Sequence, residues 1–377
     1  MLFRTPAILP PEAEVLRKIE DIRSALATPR PWTVLVRRTT LAGLIRASSR
    51  FEDDDVTPEG AIAVEGAGAE GDEPIGVNPQ AWAAVSGYRA ALSYAFQLAG
   101  DPTFTYDEGV LRGLHYMITG YDRTKNPGRW RPGSVHVRLS GEIVYDAPDV
   151  GLVPGLLREL VFSLNATDDT PVMITAAMAH LNLTLIHPFS DGNGRTASVL
   201  QTLVLARGGI VEPEFASIEA DVGAHTADYR AALLKVSGED WDPTRDARPW
   251  IRFCLTAHLR QAKTLLRRTQ EHARLWDELD VDIKRRGLPA RVLFALTDAA
   301  AGLKVSSSTY RSAAAVSTHL ANRDLKRLVD EGLVIAGREG RARSYRASDK
   351  LKELRGRTRE PRIPDDDPFA TEVGGAG

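Results

Sequence analysis

Cysteine is almost missing: Cys254 is the only one in 377 residues, so no internal disulfide can form. Its place in the apolar run WIRFCLTAHL reads as a small buried hydrophobe. The sequence also lacks any apolar run of about 18 residues and any apolar segment behind a basic start at Met1, which argues against a membrane span or export. A cytoplasmic protein with no membrane partner is the expectation. Charge of one sign is missing too, since 48 Lys and Arg face 50 Asp and Glu, for a net charge of -2. That balance hides an asymmetry. From Val281 to Arg362 there are 19 basic and 9 acidic residues, against 29 and 41 in the remainder, so only the C-terminal part is suited to approach nucleic acid.

What is present is ordinary for a folded chain, with 43% hydrophobic and 26% charged residues, and the length suggests two or three domains. One stretch concentrates chemistry: His187-Pro188-Phe189-Ser190-Asp191-Gly192-Asn193-Gly194-Arg195. A histidine near neutral pH can take a proton from an attacking hydroxyl. Asp191 is a hard oxygen donor suited to Mg²⁺, and Gly192 and Gly194 let backbone N–H groups come close to an anion. From Thr196 to Ala206 the chain is nearly all apolar, as in a buried helix, so that helix begins at the loop with its free N–H groups and positive dipole end. Arg195 adds a fork of donors that matches phosphate oxygens. Taken one residue at a time, a Gly-Asn-Gly turn between two helices, with His187 capping the first, explains as much.

The whole string resembles the signature of the Fic family, H-P-F-x-[D/E]-G-N-G-R, with every specified position present. A chance match in a chain of this length has a probability on the order of 10⁻⁸. The resemblance implies a mainly α fold, a helical Fic core with a β-hairpin flap, that transfers AMP from ATP to a Ser, Thr or Tyr hydroxyl of a target protein. His187 would be the base and Asp191 the Mg²⁺ ligand. Phe189, Gly192, Asn193, Gly194 and Arg195 would serve the nucleotide and its α- and β-phosphates. The related Doc proteins, which phosphorylate their target, carry Lys where this chain has Gly194, so Gly194 favours nucleotidyl transfer. Many Fic enzymes bind the γ-phosphate with a second arginine; here that position is Ser198, which supplies one hydrogen bond and no charge.

Other resemblances flank the loop. Residues 11–27 have helical spacing, and a second helix is expected to end near Phe51. There Ser48 and Glu52 fit S-x-x-x-E, similar to the inhibitory motif of many Fic proteins, while an acidic solvated loop starting at Glu52 is the plain alternative. Helices are expected from Pro79, over 109–120, 153–165 and 172–185, and from Pro249 to about Asp280. His115 reads as a packed core histidine. The alternation of Val135, Val137 and Leu139 with Ile143 and Tyr145 predicts a hairpin, similar to the Fic flap. Val135, His136, Val137 and Arg138 would form the edge that receives an extended target segment by strand addition. Tyr229 resembles the aromatic near the nucleotide base.

The basic end predicts three helices and a two-stranded wing, similar to a winged helix-turn-helix. Ser317-Thr318 would cap the third helix. Thr318, Asn322, Arg323, Lys326 and Arg327 on it, and Arg338, Arg341 and Arg343 in the wing, are the candidate DNA contacts. A protein-binding or dimerisation module is the alternative there, and family resemblance alone implies a homodimer. The expected organisation is 1–78 N-terminal helices and acidic loop, 79–280 Fic core, 281–360 winged helix, and 361–377 a disordered tail. Two rival readings of the whole remain open: a DNA-binding regulator with a degenerate, nucleotide-sensing Fic core, and a Fic enzyme that removes AMP.

Overall fold

A computed structural model describes residues 1–30, 33, 79–139, 142–212, 215–303, 305–339, 342–361 and 367–370. The chain divides into two compact units, one of Met1–Ala25, Arg37–Lys263 and Asp366–Gly377, the other of Leu26–Val36 and Thr264–Asp365. The division after Lys263 falls inside a 38-residue helix, earlier in the chain than the expected 280/281 boundary.

The first unit is helical. Its described elements are α1 (Pro10–Leu26), α2 (Pro79–Gly100), α3 (Glu108–Thr119), strands β1 (His136–Leu139) and β2 (Glu142–Asp146), α4 (Val153–Asn165), α5 (Val172–Ile186), α6 (Asn193–Arg207), α7 (Glu219–Ala224), α8 (Thr226–Ser237) and the start of α9 (Arg248–Arg285). The helices expected over 11–27, from Pro79, over 109–120, 153–165 and 172–185 and from Pro249 are here, within a few residues at each end, while the helix expected to end near Phe51 lies outside the described residues. α5 and α6 pack on one another at the centre, with α2 and α3 against α6 and α4 against α5. All but three of the 15 residues of α5 are buried, which is why its sequence shows no polar stripe.

Several polar groups inside this core are tied by directed bonds, which offset the cost of burying them. The Asn182 side chain accepts from the Phe3 N–H at 2.9 Å and donates to the Phe3 carbonyl at 3.3 Å, pinning the N-terminal segment to α5. Trp250 donates to the Ala177 carbonyl at 2.7 Å. Glu12, almost fully buried, meets Arg252 at 2.8 Å and Arg248 at 3.2 Å.

The expected hairpin forms, antiparallel, with a register shift between Val137 and Arg138. The Tyr145 hydroxyl donates to the Leu185 carbonyl at 2.7 Å, tying β2 to the end of α5. The far edge of β2 is taken where the Asp146 N–H donates to the Glu239 carbonyl at 2.8 Å. The outer edge of β1 pairs with no strand among the described residues.

The second unit contains the remainder of α9, then α10 (Val292–Ala300), α11 (Ser307–Ala314), α12 (Thr318–Asp330), the antiparallel pair β3 (Val334–Glu339) and β4 (Ala342–Ala347), and α13 (Asp349–Thr358). The expected order of three helices and a hairpin is present, and α13 is an addition that the sequence reading did not contain. Ser317 caps α12 by accepting from the Leu320 N–H. Leu325 and Leu328 are fully buried with Leu293, Leu296 and Tyr345, while Leu320 is only half-buried. The expectation of a disordered tail is corrected for Asp367–Ala370: Phe369 is buried, with the Arg252 guanidinium 4.9 Å from its ring centre, a cation–π contact that can hold one aromatic within a polar segment.

α12 is fixed by a buried carboxylate. Asp324 accepts two bonds from Arg291, at 2.7 and 3.0 Å, and one from the Tyr310 hydroxyl at 3.0 Å. Removing one partner of such a pair strands the other. Asp324→Ala is therefore expected to destabilise the second unit by about 3 kcal/mol, read as a lower urea midpoint with loss of hydrogen-exchange protection across 292–358.

Candidate functional site

The candidate site is the loop between α5 and α6, and its shape starts with two left-handed residues. His187 ends α5 at φ 50° and ψ 56°, its N–H donating to the Leu183 carbonyl, so the plain reading of His187 as a cap is also true. Gly192 opens α6 at φ 73°. A Cβ at Gly192 would lie 2.8 Å from the Thr119 methyl and 3.4 Å from His115 Nε2, so glycine is required there both by backbone conformation and by the approach of α3.

Between them the loop is held from three sides. The Asn193 amide forms two bonds with the Phe189 backbone, both 3.0 Å. Phe189 itself is fully buried, stacked on His115 at 3.7 Å between ring centres, with Trp130 at 4.9 Å. Its part is to anchor the loop, and it presents no surface to a nucleotide. His115 is in the core, as expected, but it also makes directed bonds: Nδ1 accepts from the Gly128 N–H at 2.9 Å, which leaves Nε2–H to donate to the Asp191 carbonyl at 3.0 Å. Arg131 supplies the third hold. Its guanidinium donates to the carbonyls of His187 at 2.9 Å, Gly133 at 2.6 Å and Pro148, and its own N–H donates to the Pro188 carbonyl at 2.8 Å.

This frame sets the chemistry of His187. Nδ1 lies 3.2 Å from the Thr184 carbonyl, and only a protonated nitrogen can pair there, so Nε2 is the bare, proton-accepting atom. Burial, helped by the nearby Arg131 charge, lowers the His187 pKa to about 4. The imidazole is thus in its base form at neutral pH and takes a proton most readily from a hydroxyl already made acidic by attack.

The start of α6 faces outward. Gly194 is exposed, and a Cβ there would meet nothing within 4 Å. The N–H groups of the first turn and the helix dipole therefore border open space fit for an anion. The Asn193 side chain is committed to Phe189, so its backbone N–H is what it can offer. Asp191 lies at the rim. Oδ1 accepts from the Gly192 N–H at 2.6 Å and Oδ2 sits 2.9 Å from the Lys125 ammonium. Burial alone would raise this carboxyl, but Lys125, the Gly192 N–H and Arg195 outweigh it and hold it below the usual carboxylate range. Among the described residues there is no cluster of three or more His, Cys, Asp or Glu side chains able to enclose a metal.

Arg195 is buried, and an acid shares its surroundings. Glu219, the first residue of α7, is 2% exposed. Burial raises its carboxyl to about 7, against the pull of the Tyr88 and Ser198 hydroxyls and the Arg195 charge. Tyr229, expected near a nucleotide base, lies in an aromatic cluster with Trp250 and Phe253, its hydroxyl 3.2 Å from His180 Nε2. Ser48 and Glu52 lie outside the described residues. Sequence reasoning missed Lys125, Arg131 and Glu219; nothing local marks them, because each meets the loop through long-range contact.

On the hairpin, His136 and Arg138 are exposed while Val135 and Val137 are half-buried, and His136 pairs with Asp146 across the strands at 2.5 Å. In the second unit Thr318, Asn322, Arg323, Lys326 and Arg327 are exposed on α12, and Arg343 is exposed on β4. Arg327 is already engaged, donating to the Gly287 carbonyl at 3.0 Å and the Arg286 carbonyl at 3.3 Å. The Arg338 side chain and Arg341 lie outside the described residues.

Comparison with known proteins follows the same outline. Residues 105–205 match the family model described as Fic/DOC family. The chain is 32% identical over 144 residues to the protein adenylyltransferase fic-1 of Caenorhabditis elegans, covering 37% of this chain and 25% of that protein. It is 30% identical over 170 residues to the protein adenylyltransferase Fic of Aedes aegypti, covering 45% and 31%. The chain thus spans only about a quarter to a third of the length of these curated relatives. In fold it resembles a Fic family protein from Desulfovibrio desulfuricans G20, with a TM-score of 0.59 at 22% identity over 92% of this chain and 98% of that one. A Fic-1 fragment from C. elegans gives 0.51 at 23% identity, over 68% and 72%. No helix among the described residues is long and apolar enough to cross a membrane.

Five histidines, His115, His180, His187, His258 and His272, are held neutral by burial with pKa lowered to about 4. Between about pH 6.5 and 4 the unfolded chain binds protons that the folded chain refuses, so stability rises with pH across that window and falls on acidification. Melting curves are expected to show a loss on the order of several kcal/mol from pH 6.5 to 4.5, beginning before the carboxylates titrate; a flat profile there would contradict the burial of these rings.

Proposed function

With residues 105–205 carrying a Fic/DOC family domain as the starting point, we propose that the chain is a protein adenylyltransferase, moving AMP from ATP to a Ser, Thr or Tyr hydroxyl of a target protein. The observation that carries this reading is the bare Nε2 of His187, fixed by the Thr184 carbonyl beside an open helix N-terminus. The names of the relatives, protein adenylyltransferases, support it.

In this mechanism the target hydroxyl oxygen attacks the α-phosphorus while His187 Nε2 receives its proton. The new O–P bond forms as the bond from the α-phosphorus to the bridging oxygen breaks, and pyrophosphate leaves with those electrons. N–H groups at the start of α6 and the charge of Arg195 stabilise the negative charge that spreads over the phosphate oxygens. Asp191 suits Mg²⁺: its Oδ2 already holds a cationic partner, and one carboxylate with substrate phosphates is a usual donor set for this ion. Mg²⁺ bound there would neutralise charge on the departing pyrophosphate. The open edge of β1 would hold the target as an added strand. Glu52, placed as in the inhibitory motif that the sequence resembles, would restrain the enzyme.

A second reading concerns the basic unit alone. The exposed Asn322, Arg323 and Lys326 on α12 favour a winged helix-turn-helix that docks α12 in the DNA major groove, with the Fic region as its nucleotide sensor. Salt-dependent binding of one duplex over unrelated ones, lost in Arg323→Ala, would support it.

The decisive measurement uses ATP labelled at the α-phosphate. Label on the protein or its target is expected to fall by a factor of about 10² to 10⁴ in His187→Ala and to rise in Glu52→Gly. Label appearing only in Ser198→Arg would mean that phosphate charge is under-served in the natural chain. No label in any variant would end the transfer reading, and release of AMP from a labelled target by Glu52-containing protein would replace it with the reverse reaction.

A further inference from the structure

Lys125 closes a short 3-10 turn, Arg123–Lys125, and Asn126 in the left-handed region reverses the chain after it. The turn is built firmly. Asp122 caps it, accepting from the Thr124 N–H at 2.9 Å and hydroxyl at 2.6 Å. Two residues beyond Asn126, Gly128 is tied to His115 Nδ1, and the other nitrogen of the same ring is tied to the Asp191 carbonyl. One imidazole therefore references the backbone that follows Lys125 to the backbone that carries Asp191. The Tyr121 hydroxyl holds the ammonium from the other side at 3.0 Å. Asp191 is fixed in turn, since Oδ1 is committed to the Gly192 N–H, and only Oδ2 faces the lysine.

We propose that Lys125 is the chain's own cation at Asp191, that it competes with a divalent ion for Oδ2, and that an anionic phosphate at the start of α6 frees the carboxylate by drawing the ammonium to itself. The phosphate half rests on the reading of the loop as a phosphate site; the competition half rests on geometry alone. A dication at 2–2.5 Å from Oδ2 and an ammonium at 2.9 Å from the same atom cannot coexist without strong repulsion. Asp122, the nearby acid, has its carboxylate engaged by Thr124 and adds a field that holds the lysine in the neighbourhood. Exchange conserves the pairing of charges: the ion takes the carboxylate and the ammonium takes the phosphate. Phosphate and divalent ion then bind with positive, reciprocal coupling through one side chain.

The experiment measures Mn²⁺ binding to the full chain by the electron paramagnetic resonance of the free ion, with no nucleotide present, in wild type, Lys125→Met, Lys125→Arg and Asp191→Asn. Lys125→Met is expected to bind Mn²⁺ about three- to tenfold tighter than wild type at low ionic strength, the scale of a partly exposed ion pair plus relieved repulsion. Lys125→Arg should stay near wild type, and Asp191→Asn should lose the site. Inorganic phosphate should tighten Mn²⁺ binding in wild type more than in Lys125→Met. Equal or weaker binding in Lys125→Met, with its melting curve unchanged, would overturn the competition, and so would binding that survives Asp191→Asn. Equal effects of phosphate in wild type and Lys125→Met would overturn the exchange. Since no AMP transfer is measured, failure here is distinct from absence of label with ATP.

Discussion

The site depends on one buried cation that has no carboxylate hydrogen-bonded to it among the described residues. Arg131 is 2% exposed and is satisfied by carbonyl oxygens alone; burial pulls its pKa down, yet the charge persists because guanidinium is so basic. The three carbonyls belong to His187 and to the segments entering and leaving the hairpin. A single planar group thus ties His187 to both segments that flank the hairpin. Three dipoles aimed at one charge also leave that charge available to the surroundings, and it is one reason that His187 stays neutral. Arg131 thus bears on both the position of His187 and, behind burial, its proton affinity.

His115 plays the complementary part on the other side of the loop. Its two nitrogens are both used, one accepting and one donating, which requires the neutral ring, and burial keeps it neutral. Arg131 and His115 act on the loop's two ends, at His187 and at Asp191. The residues between them, Phe189 above all, are spent on filling the gap. What the loop leaves exposed is correspondingly small: Ser190, Gly194 and parts of His187 and Asp191.

Much of this was legible in the sequence, for a physical reason. The loop's chemistry is carried by contiguous residues, so His187, Asp191 and the glycines could be read in place, and the burial of α5 and α6 followed from their lack of a polar face. The hairpin showed in its alternation. What could not be read was the partner of each group. Lys125 and Asp191 are 66 residues apart, and Arg131 and His187 are 56 apart. Spacing carries no trace of such meetings. The aromatic residues are harder to read. The family resemblance assigns Phe189 and Tyr229 toward the nucleotide, and their burial shows how well large rings also fill a core. Glu219 is a similar case: nothing in SIEADV distinguishes a solvated acid from one that is buried beside an arginine.

On the proposed transfer reading, the hairpin has one further consequence, for turnover. β2 meets the 239–240 segment at Asp146, and the outer edge of β1 pairs with no strand among the described residues, so β1 is the edge along which an incoming strand would add. Main-chain bonds along that edge are indifferent to what is attached to one side chain of the visitor. A segment that had just been modified would be gripped by the same ladder as one that had not, and it would block that edge. Departure of the finished product, rather than the bond-making step, would then set the pace, and an accumulating product would slow the catalyst that made it.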